Sequence, residues 1–231
     1  MKLVIPKHLA LIPDGNRRWA KRKGLPPWKG HEKGYKVFKN FLNWCLELNI
    51  SQISFYTLST ENLDRPKDEL NHIFRLLKKG ILEFQNDGML EKYDVKVRFL
   101  GDFRRIPSPL VRLMKKLMKK TEEHHKIIVN LLVAYGGQWE LTQAAKKLIK
   151  KVLERGVIRI TPKTIEKNLY VQTPVDLVIR TGAQYRLSNF LPWQTAYAEI
   201  YVTRTLFPAF SKREFMKAIR WFSTRKRNFG K

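Results

Sequence analysis

The stretch His8-Leu9-Ala10-Leu11-Ile12-Pro13-Asp14-Gly15-Asn16-Arg17-Arg18-Trp19 decides the fold of this chain, because an apolar run of strand length ends there in a polar glycine turn. The turn carries a carboxylate on Asp14, an amide on Asn16 and guanidinium groups on Arg17 and Arg18. Guanidinium and backbone N–H groups bind phosphate oxygens, and a carboxylate can share a divalent cation with them. The stretch therefore predicts a strand end that holds a metal-bound diphosphate. The alternative is an ordinary turn, because Pro-Asp-Gly is a common turn sequence.

Apolar runs of strand length alternate along the chain with longer amphipathic segments, which is typical of a parallel sheet covered by helices. The predicted strands are residues 9–12, 53–58, 95–100, 127–134, 176–179 and 199–201. The predicted helices are residues 34–48, 67–84, 108–124, 139–153 and 211–225. No repeat or linker divides the sequence. We therefore expect residues 1–231 to form a single α/β domain with a central, six-stranded, mainly parallel sheet flanked by helices.

The basic composition limits the partners of the chain. The sequence has 46 lysine and arginine residues against 20 acidic residues, a formal net charge of +26. Such a field attracts polyanions or anionic lipid surfaces, and charge alone does not choose between them. The basic residues are spread along the whole chain and no known nucleic-acid motif occurs, so we expect contact with an anionic membrane and no nucleic acid. A nucleic-acid-binding domain is the alternative that the charge alone suggests.

Cysteine usage and hydropathy limit the compartment. Cys45 is the only cysteine, which excludes an internal disulfide and a cysteine metal cluster and favours a reducing compartment. The longest apolar run, residues 127–135, is interrupted by Asn130 and is far too short to span a membrane. The apolar start of the chain is too short for a secretory signal. The expectation is a cytoplasmic protein, peripheral at the inner face of the cell membrane if its basic surface binds lipid.

Several further motifs follow the first one in a fixed order. They are Gly30-His31-Glu32-Lys33-Gly34, Ser59-Thr60-Glu61-Asn62-Leu63-Asp64-Arg65-Pro66, Asp176-Leu177-Val178-Ile179-Arg180-Thr181, Arg186-Leu187-Ser188-Asn189-Phe190, Trp193-Gln194 and Ala196-Tyr197-Ala198-Glu199. In this order and spacing the chain resembles the cis-prenyltransferases, the family of undecaprenyl diphosphate synthase, from about residue 6 to residue 230. No aspartate-rich DDxxD pattern occurs, which argues against the trans-type prenyltransferases.

The resemblance implies an enzyme that condenses isopentenyl diphosphate with an allylic prenyl diphosphate in cis geometry. It implies a long-chain polyprenyl diphosphate as product, a precursor of a glycosyl carrier lipid, and Mg²⁺ as cofactor. It also implies a homodimer. The alternative is a subunit of a heteromeric cis-prenyltransferase that has little activity alone.

The resemblance also assigns roles to residues of this sequence. Asp14 is implied to be the essential metal-binding carboxylate, with Glu199 sharing the metal from the same chain or from the neighbouring subunit. The implied ligands of the allylic diphosphate are Gly15, Asn16, Arg17, Arg18, Trp19 and His31. The loop with Ser59, Glu61, Asn62 and Arg65 is implied to be a mobile lid that places the homoallylic substrate and assists its proton loss, with Asn62 as a catalytic residue. Arg180, Arg186 and Ser188 are implied to bind isopentenyl diphosphate.

Each assignment has a structural alternative. His31 is otherwise a surface or cap residue at the opening of a helix, the 59–65 loop caps the next helix, and Glu199 is an edge charge of a strand. The wide apolar stripe of residues 73–84 either packs in the core or lines a tunnel for a growing lipid. Because ligands of open parallel sheets bind outside the carboxyl ends of the strands, we expect Asp14, Ser59 to Asn62 and Arg180 to meet in one site.

The chain departs from the usual pattern of the family at several positions. Relatives usually carry Met at position 13, Arg at 27, Gly and Glu at 183 and 184, and Arg at 228. This chain has Pro13, Pro27, Ala183, Gln184 and Asn228 there. Two phosphate-facing guanidinium groups are therefore expected to be missing, and Lys29 or Arg227 are candidates to replace them, although a lysine does not supply a bidentate fork.

Overall fold

The computed structural model describes residues 3–86, 88–157 and 159–227. Its centre is one six-stranded sheet in which every neighbouring pair of strands is parallel. The strands are β1 (His8–Ile12), β2 (Gln52–Ser59), β3 (Val95–Leu100), β4 (Ile127–Tyr135), β5 (Leu177–Arg180) and β6 (Glu199–Val202), and they are arranged in the order β3-β4-β2-β1-β5-β6. The prediction of a single α/β domain with a six-stranded parallel sheet is confirmed.

Helices cover both faces of the sheet. They are α1 (Asn16–Arg22), α2 (Pro27–Glu47), α3 (Lys67–Asn86), α4 (Met89–Lys92), α5 (Ser108–Lys120), α6 (Gly137–Arg155), α7 (Pro162–Glu166) and α8 (Lys212–Ser223). Short 3₁₀ turns lie at Glu61–Asp64, Phe103–Arg105 and Phe207–Ala209. Among the described residues no helix is long and apolar enough to cross a membrane.

Successive side chains of each strand point to opposite faces of the sheet, so the apolar core has two parts, one on each face. On one face, Leu11, Phe55 and Leu131 of the sheet pack with buried residues of α2, α3, α5 and α8. On the other face, Ile12 and Leu132 pack with the segments around Val171 and Phe190. Because both faces are covered, the strands read in sequence as nearly continuous apolar runs.

The structure differs from the prediction at the start of α2. The helix begins at Pro27, whose ring fixes a helical φ angle at the first position of a helix, and not at residue 34. The expectation that His31 opens a helix was wrong, because His31 lies in the second turn of α2. Cys45 is buried in α2, and burial raises the pKa of its thiol.

Strand β1 lies in the middle of the sheet, between β2 and β5. All three strands are parallel, so their carboxyl ends meet at the same edge. The chain reaches β2 from β1 on one side, then returns from β4 to β5 on the other side of β1. This reversal opens a crevice beyond the end of β1, where ligands of open α/β sheets bind.

Candidate active site

The crevice beyond β1 brings together most of the residues that the sequence motifs singled out. One part of it is lined by Asp14, Asn16, His31, Ser59, Glu61, Asn62, Arg65, Arg180, Ser188 and Asn189. An adjoining part is lined by Asp14, Gly15, Asn16, Arg17, Arg18, Lys21, Pro27, His31 and Arg65. The expected meeting of the β1, β2 and β5 motifs at one edge of the sheet is therefore what the structure shows.

Asp14 lies between two guanidinium groups. Its Oδ1 accepts a hydrogen bond from Nη2 of Arg18 at 3.0 Å, and its Oδ2 accepts one from Nη2 of Arg180, also at 3.0 Å. Arg180 is the last residue of β5 and its side chain is only 5% exposed, whereas Arg18, on α1, is 41% exposed. The carboxylate thus separates a buried cation from one that faces solvent.

Two glycines allow the first motif to fold this tightly. Gly15 precedes α1 with φ = 111°, a conformation that strains other residues, and a Cβ placed there would lie 2.7 Å from Cδ2 of Leu206. Gly30 lets α2 approach α1 so closely that a Cβ would overlap the carbonyl oxygen of Asn16. The backbone of Asp14 is fixed as well, because its carbonyl oxygen accepts from the Thr181 hydroxyl at 2.7 Å.

A buried carboxylate that the sequence analysis missed holds three of the expected phosphate ligands. Oε1 of Glu69, in the first turn of α3, accepts from Nη1 of Arg65 at 3.1 Å and lies 3.0 Å from Nε2 of His31. Its Oε2 lies 3.8 Å from Nε of Arg17. Burial lowers the pKa of His31, and the hydrogen bond to Glu69 opposes that shift. In the sequence Glu69 resembles an ordinary acidic residue at a helix start; its burial follows from the packing of α3 against α2.

The loop after β2 forms one wall of the crevice. The amide N–H of Asn62 donates to Oγ of Ser59 at 3.2 Å, and Oδ1 of Asn62 accepts from the amide of Ser59 at 3.4 Å. Glu61 accepts at 3.1 Å from Nδ2 of Asn189, which belongs to the loop after β5. Burial raises the pKa of Glu61, but hydrogen bonds from its own backbone and from the side chains of Asn189, Ser59 and Thr60 outweigh burial and lower it. The loops that follow β2 and β5 are therefore connected across the end of β1.

Arg180 is fixed by the loop that follows it. Its Nη1 donates to Oγ of Ser188 at 2.9 Å and to the backbone carbonyl oxygen of Arg186. Its Nε is buried with no hydrogen-bond partner among the described residues. The side chain of Arg186 is exposed, and only its carbonyl takes part in this arrangement. The structure thus brings Arg180 and Ser188 into the site, but not the Arg186 guanidinium.

An apolar cavity of about 110 Å³ adjoins the polar crevice, between α2, α3 and the sheet. The two share Pro13, Asn16, His31, Thr57 and Ile73 as lining residues. Further in, the lining is almost entirely hydrocarbon: Tyr35, Phe38, Phe55, Leu76, Leu77, Ile81, Phe84, Leu131 and Phe207. The apolar stripe of α3 therefore both packs in the core and lines this cavity.

Other expected site residues lie elsewhere. Glu199 is the first residue of β6 and pairs in register with Leu177, which itself pairs with Leu9, so it lies at the amino edge of the sheet. Asp14 follows the opposite edge, so the expectation that Glu199 shares a metal with Asp14 of the same chain was wrong. Trp19 is half-buried on α1, with Nζ of Lys23 5.3 Å from its ring centre.

The departures from the family pattern fall at different places. Pro27 lines the crevice, where relatives usually carry arginine. Lys29 pairs with Glu32 at 3.0 Å, and Arg227 pairs with Asp176 at 2.7 Å at the amino edge of the sheet, so neither replaces a guanidinium in the site of its own chain. Asn228 lies outside the described residues.

The sequence of this chain is similar to that of known proteins. The family model of the undecaprenyl diphosphate synthases matches residues 12–230. This chain belongs to that prenyltransferase family. It is 41% identical over 228 residues to an isoprenyl transferase of Campylobacter jejuni (strain RM1221), covering 97% of this chain and 98% of the relative. It is 37% identical to a tritrans,polycis-undecaprenyl-diphosphate synthase (geranylgeranyl-diphosphate specific) of Pyrococcus abyssi, covering 99% and 88%.

A solved structure of the family is also similar. The crystal structure of lavandulyl diphosphate synthase from Lavandula x intermedia in complex with dimethylallyl diphosphate matches with a TM-score of 0.93 at 30% identity, covering 98% of this chain and 99% of that one. The present chain is accordingly a cis-prenyltransferase of the undecaprenyl diphosphate synthase type, an enzyme of a family that uses isoprenoid diphosphates.

Asp14 is the candidate ligand for a magnesium ion in the crevice of this cis-prenyltransferase. No group of three or more His, Cys, Asp or Glu side chains able to hold a metal occurs within residues 3–86, 88–157 and 159–227. Mg²⁺ in proteins is commonly held by one or two carboxylates together with substrate phosphates and water. Asp14 is a partly exposed carboxylate that contacts Arg18 and Arg180, and Arg17 and Lys21 line the crevice beside it. The residues fit a magnesium ion that arrives with a diphosphate substrate.

Proposed function

We propose that this cis-prenyltransferase condenses isopentenyl diphosphate with an allylic prenyl diphosphate, and repeats the step to make a long-chain polyprenyl diphosphate, a glycosyl carrier lipid precursor. The observation that carries the proposal is the position of Asp14 between Arg18 and Arg180, beside the mouth of an apolar cavity. Two cationic groups suit two diphosphates, and a hydrocarbon-lined cavity suits a prenyl chain. The catalytic domain in this proposal is the whole chain, residues 1–231.

The allylic diphosphate would bind on the side of α1. Arg17 and Arg18 would grip its oxygens, with the backbone of Gly15 and Asn16 and the side chain of His31 beside them. Trp19 remains a predicted ligand of this substrate. The hydrocarbon chain of the allylic substrate would enter the apolar cavity, which we propose to be the start of a product tunnel.

Isopentenyl diphosphate would bind on the side of β5. Arg180, Ser188 and Arg65 line that part of the crevice, and the loop with Ser59, Glu61 and Asn62 closes it. The Arg186 side chain, which is exposed, would have to turn inward to take part. Asn62 is the proposed catalytic residue of this loop, because it lines the part of the crevice where, in this proposal, the homoallylic substrate would lose its proton.

The reaction breaks the bond between C1 of the allylic substrate and its diphosphate oxygen, and the pyrophosphate leaves with the bonding electrons. The double bond of isopentenyl diphosphate then forms the new carbon–carbon bond, and loss of one proton restores a double bond. The fixed arginines stabilise the charge that develops on the leaving group, and the apolar cavity keeps water from the reactive carbon. Asp14 would hold Mg²⁺, which when bound neutralises phosphate charge.

We further propose that the enzyme works as a homodimer. Glu199 lies on the edge strand β6, with the exposed side chains of Tyr197 and Ile200 beside it. A partner at this edge would cover apolar surface and offer Glu199 to the neighbouring site, whose own chain supplies Asp14. A heteromeric assembly is the second candidate, and the observation that favours it is Pro27 on the wall of the crevice, where a guanidinium is missing.

The proposed location is the cytoplasm, peripheral at the inner face of the cell membrane. The formal net charge of +26 supports this, because anionic lipid attracts basic surfaces. Binding to nucleic acid through the same charge is the rival, and a salt-dependent DNA shift from a protein without prenyl turnover would favour it.

The proposal is tested by incubating the purified protein with radiolabelled isopentenyl diphosphate and allylic diphosphates of several lengths. Products are then sized, with Mg²⁺ present in one series and removed by chelation in the other. We expect cis-elongated products that disappear on chelation. No incorporation with any primer, even when extract from the source cells is added to supply a partner subunit, would overturn the proposal.

A further inference from the structure

Helix α6 and the segment after it expose a line of apolar side chains. Ile149 and Leu153 are 60% and 82% exposed, and they lie one turn apart on the same side of the helix. Val157 and Ile160, which are 100% and 60% exposed, follow in the sequence beyond the helix end. We call these four residues the α6 ridge. Clustered exposed aliphatic side chains mark a candidate contact surface.

The surroundings of the ridge are strongly basic. Residues 145–160 contain six lysines and arginines and one acidic residue, Glu154. Lys146 and Lys150 are exposed and lie next to the ridge on the helix surface, whereas Nζ of Lys151 turns inward to Oδ1 of Asn168. Glu154 lies 3.6 Å from Lys150 and offsets only one of these charges. The ridge is thus an aliphatic strip bordered by cations.

The inner side of α6 is already occupied. Ala144 and Leu148 are buried, and Glu140 in the first turn accepts a hydrogen bond from the hydroxyl of Tyr135, whose ring packs on the sheet face that includes Ile12. The apolar cavity lies on the other face of the sheet. A partner on the ridge therefore leaves both the cavity and the diphosphate crevice uncovered.

We propose that the α6 ridge docks this enzyme on an anionic lipid bilayer, with the aliphatic side chains inserted among the lipids and the lysines at the headgroups. This rests on the proposed function, in which the product is a membrane lipid. Aliphatic residues bordered by lysine are typical of helices that lie in a membrane interface. Protein interfaces, in contrast, favour aromatic residues and are depleted of lysine at their core, and the ridge has no aromatic residue.

Another basic surface competes for the same role. Helix α3 exposes Arg75, Lys78 and Lys79 beside the exposed side chain of Leu82, on the outside of the apolar cavity. Leu82 is a single apolar residue, 39% exposed, and Glu83 beside it lies within ion-pair distance of Lys39 and Lys79. This surface is positively charged but has only one exposed apolar side chain that could enter a bilayer. Leu82→Ser is therefore the matched control for the ridge variants.

The test is partition of the purified protein between buffer and vesicles, either of phosphatidylcholine alone or of phosphatidylcholine with phosphatidylglycerol. The variants are Ile149→Ser with Leu153→Ser, Lys146→Gln with Lys150→Gln, and Leu82→Ser. We expect the wild type and Leu82→Ser to bind the anionic vesicles equally. The apolar double variant should bind about tenfold or more weakly. The lysine double variant should bind roughly thirtyfold more weakly, because each cation near a charged bilayer contributes about a fivefold change.

Turnover of a short, soluble primer in detergent is measured on the same samples and should equal that of the wild type in all variants. The proposal would be overturned if the apolar double variant bound the anionic vesicles as strongly as the wild type. It would also be overturned if Leu82→Ser lost as much vesicle binding as the apolar double variant. A change in sedimentation of the ridge variants in the absence of vesicles would assign the ridge to a protein contact instead. Ridge-dependent binding by a wild type that shows no turnover would sink the proposed function and leave the docking site intact.

Discussion

Glu69 is the single residue on which three of the proposed phosphate ligands depend. It is buried, and it contacts Arg65 and His31 directly and Arg17 at longer range. A substrate phosphate would meet these cations already aligned, which lowers the cost of ordering them on binding. Sequence inspection cannot find such a residue, because its role arises only when α3 packs against α2.

We predict that Glu69→Gln raises the KM for a diphosphate substrate about tenfold, the scale of one lost charge-assisted hydrogen bond, with a smaller change in kcat. The pKa of His31 should fall further, because the Glu69 carboxylate opposes the effect of burial. Steady-state kinetics and the NMR titration of His31 measure the two effects. Glu32→Gln is the matched control, since Glu32 is a partly exposed partner of Lys29. Equal kinetics for Glu69→Gln and Glu32→Gln would contradict this role.

Pro13 and Pro27 are departures from the family pattern that line the crevice, and Pro27 is the one that stands where relatives usually carry arginine. We predict that Pro27→Arg lowers the KM for a diphosphate substrate about tenfold, because a guanidinium is restored beside Arg17 and Lys21. The matched control is Pro162→Arg, which changes the first residue of another helix far from the crevice. No change in KM for Pro27→Arg, with full wild-type turnover, would show that position 27 does not face phosphate.

At the scale of the elements, the sequence predicted the six strands to within two residues at each end, because strands buried on both faces are apolar runs that end in turns. The start of α2 was missed because Trp28, Lys29 and Gly30 show no helical period. The strand order could not be read from the sequence, since it depends on how helices pair across the sheet. The meeting of Asp14 with Arg180 followed from the family resemblance and from the rule for strand ends.

A buried polar group joins three strands at the amino half of the sheet. Nδ1 of His8 donates to the carbonyl oxygen of Pro174 at 3.0 Å, and its Nε2 lies 2.8 Å from the hydroxyl of Ser54, which also accepts from Asn130 at 3.0 Å. Burial lowers the pKa of His8 from 6.5 to about 4, although nearby hydrogen bonds and Asp176 oppose the shift. The imidazole of His8 is therefore neutral in the folded protein, and its hydrogen bonds hold it within the sheet.

We predict that the free energy of unfolding falls between pH 6.5 and pH 4, by about 3 kcal/mol from this group. The unfolded state binds a proton in that window and the folded state does not, so stability falls as the pH falls. Urea titrations of the wild type and His8→Asn across this range measure the effect, with His125→Asn as an exposed control. A pH dependence that is the same in all three proteins would contradict it.

At the scale of the whole molecule, the role of Glu199 distinguishes a dimer whose subunits share their active sites from one in which each subunit has a complete site of its own. If Glu199 acts in the neighbouring subunit, a mixed dimer of Asp14→Ala and Glu199→Ala chains contains one site with both carboxylates intact. We predict that mixing the two inactive variants, after dissociation and reassociation, restores up to about a quarter of wild-type turnover, from the statistics of subunit exchange. Turnover that stays at the level of the separate variants would show that Glu199 does not complete a site across the dimer.

The central claim is that the crevice beyond β1 performs prenyl transfer through Asp14. Turnover of Asp14→Ala with isopentenyl diphosphate and an allylic primer tests it most directly, with circular dichroism to show that the fold is retained. The account predicts a loss of roughly 10²-fold or more in kcat, as expected for a group that acts on charge developing in the transition state. Near-normal turnover by a folded Asp14→Ala protein would contradict the account.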